Sequence, residues 1–183
     1  MPLRDVASLP SPASAGGGPI QLRLARGAPA PGSPAEHLLR ILSAGLAAVD
    51  PAALVAAQLR LDGDRLRAGP ETIDLGQVDR LVLVAAGKAA ATMAAAAEGI
   101  LGDRLSGGVA VTARGGAITA LDRCQLHQGG HPLPDPGSLL AARQMARLLE
   151  GLTERDLVIA LISGGSSALL ELPAGRLALV DLQ

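Results

Sequence analysis

An α/β fold, a Rossmann-like three-layer α/β/α sandwich with a mostly parallel sheet, is predicted by three observations. The runs LVLVAA (81–86) and LVIALI (157–162) are short, apolar and continuous, the pattern of strands buried on both faces of a parallel sheet. Each runs into a glycine-bearing turn followed by a helix-like stretch. Between them lie another strand-like run, GVAVT (108–112), and further helical periodicity, so strands alternate with helices as right-handed crossovers require.

In chain order, residues 1–33 are rich in Pro, Ser, Ala and Gly, the composition of a flexible segment, and the folded domain is expected to occupy residues 34–183. In 34–49, Leu38, Leu39, Ile41, Leu42 and Leu46 recur at helical spacing, and Asp50-Pro51 reads as an N-cap and first-turn proline opening a second helix. Residues 59–75 alternate in short stretches around Asp62-Gly63, a dipeptide suited to a hairpin turn. After the first buried strand, 88–101 is Ala-rich with Met93 and Ile100 on a helical period, and Gly102 lies just past the end. Residues 123–128 predict a weaker strand, and 137–152 a helix packing through Leu139, Leu140, Met145, Leu148 and Leu149.

The chain has 183 residues, 49% of them hydrophobic, enough to bury a core. Phe, Tyr and Trp are absent, so that core must be built from Leu, Val, Ile and Ala. A formal net charge of -1 and the lack of any basic run remove the electrostatic footprint of nucleic-acid or anionic-membrane binding. Charged residues punctuate every apolar segment, no secretory apolar region opens the chain, and the lone Cys124 has no disulfide partner, which together favour a cytoplasmic setting. The basic residues are skewed as well: Lys88 is the single lysine among arginines, which suggests a position that needs a compact ammonium rather than a planar fork.

Three loops are candidates for chemistry. Gly87-Lys88 follows the first buried strand and opens a helix, where free N–H groups and a positive dipole favour an anion. It is not a Walker A loop, and a solvated lysine is the alternative reading. Ser163, Gly164, Gly165, Ser166 and Ser167 follow the second buried strand and suit a phosphate or carboxylate, or else form a plain turn with Ser166 or Ser167 capping the next helix. The third segment, residues 130–136, is stiffened by three prolines. In it His131 or Asp135 would orient a substrate hydroxyl, unless Asp135 simply caps the helix that Pro136 opens. His37 and His127 have no constellation around them, and no metal ligands are evident.

The segments AEHLLRILSAGLAAVDP, VLVAAGKAAATMAAAAEGILGDRLSGGVAVT and GGHPLPDPGSLLAARQMARLLEGLTERDLVIALISGGSSALLELP resemble the glycerate 2-kinase family whose members carry a MOFRL C-terminal domain. The resemblance implies transfer of the γ-phosphoryl of ATP, with Mg²⁺, to the 2-hydroxyl of D-glycerate, giving 2-phosphoglycerate in a cleft between two domains. It puts the family's motif lysine on Lys88 and its glycine-rich motif on Ser163 to Ser167, where the third of three successive glycines is replaced by Ser166. It also implies a kinase cut short of its second domain and inactive alone, with the strand 157–162 and the tail 177–182 uncovered and prone to self-association. Two other readings are a hydroxypyruvate reductase, a name also attached to this family, and a non-catalytic phosphosugar- or organic-acid-binding module. The reductase would need a nicotinamide site, and no G-x-G-x-x-G follows a strand.

Overall fold

The computed structural model describes residues 27–116 and 118–183. Most of the N-terminal segment expected to be flexible therefore lies outside the described residues. Helices α1 (Pro34–Ala48) and α2 (Pro51–Gln58) come first, followed by a meander of β1 (Leu59–Asp62), β2 (Arg65–Ala68) and β3 (Glu71–Asp74). The main body comprises β4 (Leu81–Ala86), α3 (Ala90–Leu101), β5 (Gly107–Ala113), β6 (Cys124–Gly129), α4 (Pro136–Leu149), β7 (Leu157–Ile162) and the single turn α5 (Ser166–Leu169). No single helix among the described residues is long and apolar enough to cross a membrane.

Local chemistry sets these boundaries. The Ser33 hydroxyl accepts from the Glu36 N–H ahead of Pro34, and the Asp50 carboxylate accepts from the Ala53 N–H ahead of Pro51. The hairpin between β1 and β2 closes with Asp62 opposite Arg65, leaving Gly63 at φ +56° in the turn.

Four strands form a sheet in the order β6-β5-β4-β7, and every neighbouring pair is parallel. The chain moves outward from β4 to β5 to β6, then crosses back to place β7 on the other side of β4. That reversal is a topological switch point, where open α/β sheets hold ligands beyond the carboxyl ends of their strands.

The two faces of the sheet are covered by different helices. Leu81, Leu83 and Ala85 of β4 and Ala110 of β5 pack with Ala90, Ala94, Ala97 and Leu101 of α3. On the opposite face Ala86 and Val111 pack with Ala141 of α4 and Leu169 of α5, while Val84 and Val109 pack with Met145. The expected three-layer α/β/α sandwich is what forms. The alanine face of α3 lets the helix approach the strands closely, so dense packing replaces the missing rings. Leu66, Leu83, Leu101, Leu105 and Leu169 are fully buried, each worth about 1.5–3 kcal/mol relative to exposure.

The strand β7 departs from the reading of a strand buried on both faces, while the resemblance implied that 157–162 would be uncovered. Leu157, Ile159 and Leu161 face the core beside α3, but the alternate side chains are open, with Val158 39% and Ile162 59% exposed. It is an edge strand covered on one face, not a strand buried on both. A continuous apolar run cannot distinguish these cases, because the sequence pattern is the same whichever side lacks a covering element. The helix α1 likewise has the amphipathic spacing read from its leucines, yet none of its residues is buried.

Candidate active site at the switch point

The turns after β4 and β7 interlock. Gly87 has φ +124°, and a Cβ there would lie 2.1 Å from Ser163 Oγ and 2.5 Å from the Ser163 carbonyl oxygen, so only glycine fits. The Ser163 N–H donates to Ala86 O at 2.9 Å, and the Lys88 N–H donates to Gly164 O at 3.0 Å. The Ala89 N–H donates to Ser163 Oγ at 3.1 Å. Ala89 is the N-cap residue of α3, which has no side-chain cap, so this bond ties the residue that opens the helix to the neighbouring strand's turn.

Gly165 is the second required glycine. At φ +92°, its missing Cβ would sit 2.9 Å from His131 Cδ2, 3.1 Å from His131 Nε2 and 3.1 Å from Lys88 Cε. The imidazole and the lysine stem therefore both border the space over the Gly165 backbone. Lys88 is exposed and makes no ion pair among the described residues. An exposed cation at the start of a twelve-residue helix leaves that end of the sheet with positive charge and no protein anion against it.

Of the residues singled out in the sequence, Lys88, Gly87, Ser163, Gly164, Gly165 and His131 are brought together at this point. Gly164 is exposed, with open space where a side chain would be. Ser166 and Ser167 form the first positions of α5, but neither caps it: Gly165 holds the N-cap position without a side-chain bond. Their role as caps is thereby corrected, because the left-handed glycine already turns the chain into the helix.

Asp135 is occupied elsewhere. Its carboxylate accepts from the Ser138 N–H at 3.0 Å in a capping box that opens α4 and pairs with Arg114 at 2.5 Å. Burial opposes ionisation there, but the bonds from Arg114 and Ser138 outweigh it and hold the carboxyl below its usual range.

Two contributors were not singled out in the sequence. Arg114 is the partner of Asp135, and Thr112 donates its hydroxyl to the Lys88 carbonyl at 3.2 Å. The signal for Thr112 was present: it is the polar residue that ends the apolar run GVAVT beside the first buried strand.

The other histidines lie apart. His37 is exposed on α1. His127, in β6, has a buried Nε2 without a hydrogen-bond partner, and burial lowers its pKa. It borders a cavity of about 490 Å³ at the β6 edge, lined also by Ile118, Thr119, Leu126 and Leu140.

The chain is similar to several known proteins. Over 117 residues the chain is 40% identical to the D-glycerate 2-kinase of Thermotoga maritima, covering 64% of this chain and 28% of that protein. Over 146 residues it is 38% identical to a protein of Agrobacterium vitis provisionally named hydroxypyruvate reductase, covering 80% and 30%. A solved protein of Pyrococcus horikoshii superimposes with a TM-score of 0.71 at 35% identity, covering 80% of this chain and 33% of that one. The chain thus spans about a third of the length of these relatives. Residues 37–183 match the family described as Domain of unknown function (DUF4147), and the chain belongs to that family.

Proposed function

We propose that this chain supplies one wall of a D-glycerate kinase site in which ATP donates its γ-phosphoryl to the 2-hydroxyl, giving 2-phosphoglycerate. The observation that carries the reading is the approach of both Lys88 and His131 to Gly165 at the switch point, in a chain related to a D-glycerate 2-kinase. Lys88 offsets negative charge on the transferring group, an electrostatic contribution rather than a covalent one. His131 orients the substrate hydroxyl, and the backbone from Ser163 to Ser167 lies against a phosphate or the glycerate carboxylate. The Ser163 hydroxyl is already engaged by the Ala89 N–H, so this loop acts mainly through its backbone.

An anion fits the described residues, because Gly164 is exposed with open space beside it and Gly165 leaves bare backbone under the lysine stem at a helix start. The resemblance also implies Mg²⁺. Among the described residues no three His, Cys, Asp or Glu side chains converge as a metal-binding group, and no step is routed through that ion.

The relatives continue well beyond the matched stretch, and a phosphoryl-transfer site depends on enclosure and opposing charge. The 183-residue chain alone is expected to show no ATP-dependent glycerate phosphorylation above background. A chimera joining it in frame to the rest of the Thermotoga enzyme is expected to turn over. Activity of the pure chain, or a folded chimera without activity, would contradict the proposal. Oxidation of NADH with hydroxypyruvate, and no kinase activity, would favour the reductase reading. The exposed apolar strip of Val158 and Ile162, with Leu177, Val180 and Leu182 in the C-terminal segment, favours self-association of the isolated chain.

A further inference from the structure

Thr112 is completely buried, and with Ser138 it is one of two buried polar residues among those described. Ser138 is accounted for by the capping box of α4. Thr112 lies in the interior of β5, where valine would fill the same space and suit the strand equally well. A hydroxyl in such a place costs free energy unless it is bonded, and its one bond goes to the Lys88 carbonyl at 3.2 Å.

The bond completes a set. The Lys88 N–H is held by Gly164 O from the turn after β7, and the next N–H, of Ala89, is held by Ser163 Oγ. The preceding N–H, of Gly87, is held by Val111 O of β5. Without Thr112 the Lys88 carbonyl has no side-chain partner from the sheet, and the peptide plane after Lys88 is fixed only through its nitrogen. The origin of a long, exposed side chain is thus determined from two strands at once.

We infer that Thr112 is a positioning residue for Lys88: its buried hydroxyl fixes the Lys88 peptide so that the ammonium projects over Gly165 beside His131. The inference rests on the reading of Lys88 as the cation of the anion site. Thr112 touches no substrate; it acts through the lysine backbone.

The single lysine makes a direct test available, since the full chain labelled with ¹³C,¹⁵N-lysine carries one labelled residue. Thr112→Val and Thr112→Ala remove the hydroxyl, and Thr112→Ser keeps it. The Lys88 carbonyl signal is expected to move in the Val and Ala variants and to return with Ser. In titrations with Mg·ATP and with D-glycerate followed at the Lys88 side chain, Val and Ala are expected to weaken binding about tenfold, the scale of one lost hydrogen bond. Ser is expected to stay within about twofold of the unmodified chain. A carbonyl signal unmoved by Val and Ala, or a Ser variant as impaired as Val, overturns the inference. If one deletion variant does not fold, the other decides. Should the unmodified chain show no response to either ligand, the anion-site reading falls, and the carbonyl signal with its rescue by Ser still decides whether Thr112 holds the peptide.

Discussion

The two ends of the parallel sheet are built from the same strands but opposite chemistry. At the amino end, Arg80 before β4 makes two bonds to Asp156 before β7, at 2.9 and 2.6 Å, and Arg155 makes two to Asp79, both at 2.8 Å. The start of β6 is held there too: the Glu98 carboxylate accepts from the N–H groups of Asp122, Arg123 and Cys124 at 2.9, 3.0 and 2.6 Å. Arg123 also pairs with Asp103. At the carboxyl end Arg114 after β5 pairs with Asp135, but the turns after β4 and β7 consist of glycine and small residues around Lys88, a cation that makes no ion pair among the described residues. The charges named at the amino end are all paired or hydrogen-bonded, whereas at the carboxyl end Lys88 is left available beside the Arg114–Asp135 pair. Buried apolar packing is common to both, so the arrangement of charge is what distinguishes the proposed functional end.

The largest expected break of this comparison comes from Gly87→Ala. A Cβ 2.1 Å from Ser163 Oγ at a positive φ forces the β4 and β7 turns apart, for a loss of about 3 kcal/mol or more in denaturant unfolding. A midpoint equal to that of the parent chain would show that the interlocked turns are not tight.

At the amino end, Glu98→Ala leaves three N–H groups without their acceptor and is expected to cost about 2 kcal/mol. Burial raises the Glu98 pKa, but the three N–H donors outweigh it, so the folded value lies below the ordinary one. The contribution is therefore fully present above the unfolded pKa, about 4.3, and is lost as pH falls through the lower folded value. Unfolding of Glu98→Ala followed from pH 7 to pH 3 is expected to show a smaller acid loss than the parent. An unchanged pH profile would separate Glu98 from that loss.

Arg155→Gln is expected to have the smallest effect, a slight fall in melting temperature, because Arg155 and Asp79 are both more than half exposed and solvent screens such pairs. A drop larger than that of Glu98→Ala would invert the proposed ranking.

How much of this was legible in the sequence follows from the physics of each element. The two apolar strands, the Asp50-Pro51 and Asp135-Pro136 helix starts and the alternation of strand and helix depend on local composition, and all are present in the structure, although of the two strands only β4 is buried on both faces. The strand order and the open face of β7 depend on which elements cover which face, and a six-residue apolar run does not record that. At the site, Lys88 and the glycines stood out through residue type and position after strands. That Ser163 holds the N–H of Ala89 at the start of α3, and that Thr112 holds the lysine carbonyl, are contacts across 74 and 24 residues of chain that no spacing rule reveals. Glu98 was invisible for the same reason: it reads as one more residue of an alanine-rich helix until the start of β6 lands against it.

The central claim is that the charge left unpaired at the carboxyl end serves the reaction, and Lys88→Met in the active chimera tests it most directly. Methionine keeps the apolar stem and removes the ammonium. The account expects kcat to fall about 100-fold or more, the scale of losing one electrostatic donor, while the KM for D-glycerate changes far less. Lys88→Arg is expected to fail substantially as well, since the planar guanidinium places its charge elsewhere. Near-normal kcat in the folded Lys88→Met chimera would contradict the account and make the lysine a bystander.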